Sequence, residues 1–118
     1  MKNCIFCNIS DGKIPAKFIY QDDEIIAFYD INPSSPVHFL VVPRKCIASL
    51  NDCDDSHVEL LGKMLLLAAK LSKKLGIQLK TDNNKLSGGF KSLINTGPNG
   101  GQEIYHIHLH VMGGQRPW

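Results

Sequence analysis

An α+β fold, with an antiparallel sheet of five strands, one long helix and a short N-terminal helix, is predicted by three features of the 118-residue sequence. Runs rich in β-branched and aromatic residues come in two groups, before residue 43 and after residue 90. A single long amphipathic stretch separates the third run from the fourth, and the last run alternates strictly. Strands grouped this way around one helix make an antiparallel sheet covered by helix on one face, not a βαβ array. The length and the 43% apolar content suit one compact domain over residues 1–118.

In chain order, Cys4-Ile5-Phe6-Cys7-Asn8-Ile9 puts Ile5 and Ile9 on one face of a short helix that ends near Gly12, before Pro15. Phe18-Ile19-Tyr20 and Glu24 to Tyr29 form a hairpin about Gln21-Asp22-Asp23. Asn32-Pro33-Ser34-Ser35-Pro36 is a loop, and His38 to Val42 is the third strand, closed by Pro43. Ser56-x-x-Glu59 has the form of a capping box, followed by Leu60, Met64, Leu67 and Leu71 at helical spacing until Gly76. His57 falls on the first turn of this helix as a surface residue. Residues 80–87 are polar and turn-prone. Phe90 to Asn95 and Glu103 to Met112 complete the sheet, joined by Gly97-Pro98-Asn99-Gly100-Gly101.

Composition excludes several functions. The longest apolar stretch, Met64 to Ala69, is too short for a membrane span, and nothing near Met1 reads as an export signal, so a soluble cytoplasmic protein is expected. Four cysteines in that setting argue for thiols or metal ligands and against disulfides. A formal charge of +2 is too small and too dispersed for a nucleic-acid binder, leaving a small anionic ligand open.

The chemistry concentrates in His106-Ile107-His108-Leu109-His110. Strand alternation puts the three imidazoles on one face and Tyr105, Ile107, Leu109 and Val111 on the opposite, buried face. Neutral imidazole is a nucleophile at physiological pH. The Gly100-Gly101 bend just upstream has backbone amides that can hold phosphate oxygens. Together they favour phosphoryl or nucleotidyl transfer.

The stretch Gly100-Gly101-Gln102-Glu103-Ile104-Tyr105-His106-Ile107-His108-Leu109-His110-Val111-Met112-Gly113-Gly114 resembles the signature of the histidine triad (HIT) superfamily. The likeness extends through Ile14-Pro15-Ala16-Lys17, Phe28-Tyr29-Asp30-Ile31 and His38-Phe39-Leu40-Val41-Val42-Pro43. His110, where the fragile-type branch usually has glutamine, points to the nucleotide-binding branch. The resemblance implies that His108 is a nucleophile forming a covalent nucleotidyl-imidazole, that His110 contacts the phosphate, and that His106 completes the triad. It also implies that Asp30 binds the ribose hydroxyls, that Asn95 and the backbone of Gly101, Gln102 and Glu103 surround the α-phosphate, and that His38 stands behind the triad. Ile5, Phe6, Ile9, Ile14, Phe28, Ile31 and Leu40 match the walls of a purine slot, which should discriminate weakly between adenine and guanine. Glu103 replaces a serine frequent in eukaryotic relatives, so Glu103, His110 and water are all candidates for protonating a leaving amine.

Cys4-x-x-Cys7 is a weak signal in isolation. Some members of the superfamily hold zinc through such a pair, a histidine after the third strand and the first triad histidine. Here those positions are Cys4, Cys7, Cys46 and His106, a closed structural set of three thiolates and one imidazole, and Cys53 has no part in it. The expected activity is hydrolysis of purine nucleoside phosphoramidates or related adenylates, with AMP- or GMP-like ligands and no catalytic cofactor. The resemblance further implies a homodimer with joined sheets and a C-terminal tail, including Trp118, near the partner's site. A His-x-His metallohydrolase and a nucleotide-binding adaptor with little turnover are the rival readings.

Overall fold

The computed structural model describes residues 4–115. Trp118 and its expected role lie outside the described residues. The elements are α1 (Ile5–Ser10), β1 (Phe18–Gln21), β2 (Ile25–Tyr29), β3 (Val37–Pro43), α2 (Val58–Lys74), β4 (Leu79–Asp82), β5 (Lys85–Gly88), β6 (Phe90–Leu93) and β7 (Leu109–Gly113). The main sheet has five antiparallel strands in the order β1-β2-β3-β7-β6, as the sequence predicts.

Residues 25–28 of β2 and 39–42 of β3 read as unbroken apolar runs because both faces of the sheet are covered. On one face Ile25, Ala27, Phe39, Val41, Leu109 and Val111 pack against Met64, Leu67, Ala68 and Leu71 of α2. On the other, Ile26, Phe28, Leu40 and Val42 pack against Phe6 and Ile9 of α1. Cys4 caps α1 by accepting from the Cys7 amide. Arg44 fixes its far end, donating to the Ser10 carbonyl at 2.8 Å and to the Asp22 carbonyl at 2.7 Å. The short helix is thus fixed at both ends over the sheet face that carries the histidines.

Four expectations need correction. The last strand joins the ladder only at Leu109, and residues 103–108 run alongside as irregular chain. The backbone and side chains there bond to loops instead, including Ile107 N–H to the Ile47 carbonyl at 2.7 Å. Tyr105, expected on the buried face, is 41% exposed for that reason. Residues 79–88 are not merely a turn but a separate two-stranded hairpin. Its reversal is Asn83-Asn84, both at positive φ (50° and 65°), a tight turn that asparagine tolerates. The capping box belongs to a 3-10 turn, Asp55–His57, that leads into the long helix, and its cap is Asp54, not Ser56. Asp54 accepts from the Ser56 amide while His57 Nδ1 accepts from the Asp54 amide at 3.0 Å, so His57 is part of a capping box and not a bystander. The fourth strand also ends early, at Leu93.

Candidate functional site

The irregular segment before β7 is held by buried groups, and each sets the orientation of a triad imidazole. His106 is fully buried, and its Nε2–H donates to the Pro43 carbonyl at 2.7 Å. That bond leaves Nδ1 as the lone-pair nitrogen, 3.1 Å from Cys4 Sγ and 3.5 Å from Cys7 Sγ. Cys46 Sγ lies 3.8 Å from Cys4 Sγ. A tetrahedral zinc with Zn–S of about 2.3 Å and Zn–N of about 2.0–2.1 Å needs S···S edges near 3.8 Å and S···N edges near 3.6 Å. The four donors, all within 4.8 Å of one another, therefore fit a metal ion. The Nε2–H bond to a carbonyl is the support that metal-bound histidines usually receive.

The thiols supply the same conclusion from charge. Burial raises Cys4, yet hydrogen bonds from the Cys7 thiol and amide outweigh it and bring Cys4 below its ordinary value. Burial and the neighbouring thiols push Cys7 up to about 12. Burial also raises Cys46. One thiolate formed here opposes the next, and a bound cation would relieve that opposition. Cys53 stands apart, with Sγ 3.7 Å from the Ser49 carbonyl.

His108 donates from Nδ1 to the His106 carbonyl at 2.8 Å, which leaves an Nε2 lone pair. His110 receives its tautomer from further away. The Ser34 amide donates to His38 Nδ1 at 3.0 Å, so the His38 proton sits on Nε2, 3.0 Å from His110 Nδ1 and 3.4 Å from Asp30 Oδ2. His110 accepts at Nδ1 and carries its own proton on Nε2. Burial lowers the pKa of His38 and of His108. His110 falls to about 4 through burial, His108 and His38. All three are neutral at pH 7.

These residues border one pocket of about 450 Å³. Ile5, Phe6, Ile9, Ile14, Phe28, Ile31 and Leu40 supply its apolar lining, with Ile31 86% exposed at the rim. Asp30, His38, Asn95, Gly101, Glu103, His108 and His110 supply its polar lining. Every residue expected around the nucleotide therefore borders the pocket except Gln102. The Gln102 side chain is buried beneath the loop, accepting from the Gly97 amide at 2.9 Å and donating to the carbonyls of Ala48 at 2.7 Å and Ile104 at 3.1 Å. Asn95 adds a bond to the Gly100 carbonyl at 2.7 Å, and Gly101 turns the chain at φ 79°, where a side chain would be strained. Pro15, Ala16, Tyr29, Asn32, Ser34 and Ile104 also border the pocket and were not anticipated. The Ser34 amide has no side-chain signal that a sequence could reveal.

Residues 3–117 match the family model described as "Scavenger mRNA decapping enzyme C-term binding". The purine nucleoside phosphoramidase of Escherichia coli K12 is 40% identical over 111 residues, covering 94% of this chain and 87% of that protein. A HIT family hydrolase from Legionella pneumophila, known from a crystal structure, superposes with a TM-score of 0.87 at 42% identity, covering 97% of this chain and 95% of that one. A zinc-bound histidine triad family protein from Mycobacterium smegmatis superposes with a TM-score of 0.77 at 29% identity, over 97% and 76% of the two chains. With the triad, the sheet order and the pocket all in place, the chain belongs to the histidine triad family, whose members matched here include hydrolases.

Proposed function

We propose that this chain hydrolyses purine nucleoside 5′-phosphoramidates and related adenylates by double displacement through His108. The observation that carries the reading is the bond from His108 Nδ1 to the His106 carbonyl, which frees Nε2 as a nucleophile in a pocket with an apolar slot. The similarity to a phosphoramidase supports the substrate class. In the first step the Nε2 lone pair attacks phosphorus, the P–N bond breaks, and its electron pair leaves on the amine, which takes a proton. In the second step water attacks the same phosphorus, gives up a proton to solvent and displaces Nε2, giving the nucleoside monophosphate and restoring neutral His108. The His106 carbonyl stabilises the Nδ1–H as positive charge develops on the ring.

His110, with a pKa of about 4, is a poor acid at neutral pH. Its Nε2–H suits donation to a phosphoryl oxygen, so the amine's proton is assigned to water. Asp30 has Oδ1 fixed by the Asn32 amide at 2.8 Å and keeps lone pairs for a ribose diol. Cys4, Cys7, Cys46 and His106 would hold a structural zinc, which ties α1 and its pocket residues to the triad segment.

The metallohydrolase reading is less well supported. Among the described residues, neither compact group of three or more donors includes His108, and the group Asp30, His38 and His110 is already linked through hydrogen bonds. Two further parts of the proposal concern context. A homodimer with joined sheets is supported by β6 at the sheet edge and by exposed Leu65 and Leu66 on α2. A cytoplasmic location accords with the thiol cluster, and no helix among the described residues is long and apolar enough to cross a membrane.

The test is turnover of adenosine 5′-phosphoramidate. Wild type should release ammonia and AMP at a rate insensitive to brief chelator treatment, and His108→Asn should lose turnover while still binding AMP. Retained turnover in that variant would overturn the nucleophile assignment, and its absence in wild type would leave only the adaptor reading.

A further inference from the structure

A nucleotide phosphate is an anion, yet among the described residues no lysine or arginine borders the pocket. Among the described residues, the formally charged side chains on its wall are Asp30 and Glu103. Lys17 lies in an adjoining recess with Tyr29, Ile31, Pro33 and Pro36, and Lys91 lines a separate one beside Gly113. The nearby imidazoles do not make up for this, because burial keeps His38 and His110 neutral. Backbone amides and neutral N–H groups are left to hold the phosphoryl oxygens.

The two carboxylates are not equivalent. Asp30 accepts from the Asn32 amide and lies beside His38, so its charge is already dispersed over donors. Glu103 is exposed and has no hydrogen bond or ion pair among the described residues. It borders the pocket together with Asn95, Gly101, His108 and His110, where the phosphate and the departing group would lie. An unpaired carboxylate there repels a dianionic monoester, tolerates a monoanionic phosphoramidate, and attracts one whose amine bears a separate positive charge.

We infer that Glu103 is a specificity determinant that selects leaving amines carrying a second, cationic group. The favoured substrates are then nucleoside phosphoramidates of diamines or of basic side chains, and the inference rests on the phosphoramidase reading above. For a partly solvated charge pair the effect is modest, about three- to tenfold in kcat/KM at low salt. The product gains negative charge as the amine departs, so the same carboxylate disfavours retention of the nucleoside monophosphate.

Three adenosine 5′-phosphoramidates of matched length test this: those of 1,5-diaminopentane, n-pentylamine and 5-aminopentanoate. Wild type should rank their kcat/KM values cationic above neutral above anionic, with the spread shrinking as salt is raised. Glu103→Gln should bring the three values together, whereas Asp30→Asn should lower all three and keep their ratios. A flat ranking in wild type, or a ranking that survives Glu103→Gln, overturns the inference. A Glu103→Gln variant slowed equally on all three also overturns it and assigns Glu103 to proton transfer instead. Unsubstituted adenosine 5′-phosphoramidate separates the two levels: its turnover alongside a flat ranking sinks only the specificity claim, and its failure to react sinks both.

Discussion

Replacing Gln102 with methionine keeps the side chain's length and removes its polar end, which ties the β6–β7 connection together at Gly97 and Ile104 and joins it to the loop at Ala48. The change would strand the Gly97 amide and the carbonyls of Ala48 and Ile104, now bonded at 2.9, 2.7 and 3.1 Å. A buried backbone group left without a partner costs about 1–3 kcal/mol. These three are only part-buried, so water can recover some of the loss, and about 3 kcal/mol in total is expected. Urea unfolding measures it, read as a lower midpoint at unchanged slope. Because Gln102 tethers the Gly97–Gly101 turn, AMP affinity should also fall, by about tenfold, while metal content stays constant. Gln102→Glu keeps the acceptor for Gly97 but sets a carboxylate against two carbonyl oxygens, so at pH 7 it should destabilise at least as much. A loss below about 1 kcal/mol with unchanged AMP affinity would refute the view that this side chain organises the phosphate turn.

Asp30→Asn should weaken binding of AMP more than binding of its 2′-deoxy analogue, because the ribose diol loses a charged acceptor; titration calorimetry giving an unchanged ratio would reject that role. Protein purified without chelator should hold about one zinc per chain by elemental analysis, and Cys46→Ser should lower both the zinc content and AMP affinity, since α1 carries Ile5, Phe6 and Ile9 into the pocket. Acid should destabilise the fold through the histidines. His38 and His110 have native pKa values below the ordinary 6.5, about 4 for His110, so the unfolded chain binds more protons within that window. Their contribution is complete above about pH 6.5 and is lost as pH falls toward 4. The Tm should drop between pH 7.5 and pH 5, and His110→Gln should flatten that drop; an equally steep profile in the variant would contradict the assignment.

Periodicity read the main sheet well because its signals are local. Ile25 to Phe28 and Phe39 to Val42 are apolar on both faces, and α1 and α2 supply the two covers. It failed where tertiary contacts override local pattern. His106-Ile107-His108 alternates like a strand, but Pro43, Ile47 and the thiols take its polar groups, so it never joins the ladder. The hairpin over residues 79–88 has no buried face, with Leu79 and Leu86 both exposed, so it gives no period-two signal. The residues of the candidate site were legible through their motif, but the bonds that set their protons were not. His38 meets His110 only because β3 and β7 pair Leu40 with His110 and His38 with Met112, which makes the two imidazoles diagonal neighbours on one face. The same applies to Gln102: the motif assigned a role to its backbone, and nothing local to it signalled that its side chain turns inward to bond Gly97, Ala48 and Ile104.

The central claim is that His108 Nε2 becomes bonded to phosphorus during turnover. Wild-type protein mixed with adenosine 5′-phosphoramidate for less than one turnover, quenched in base and digested should yield a peptide containing His108 heavier by one adenylate. Fragmentation should place the added mass on His108, and on neither His106 nor His110. Full turnover with no adduct under any quench, or an adduct at His110, would contradict the account.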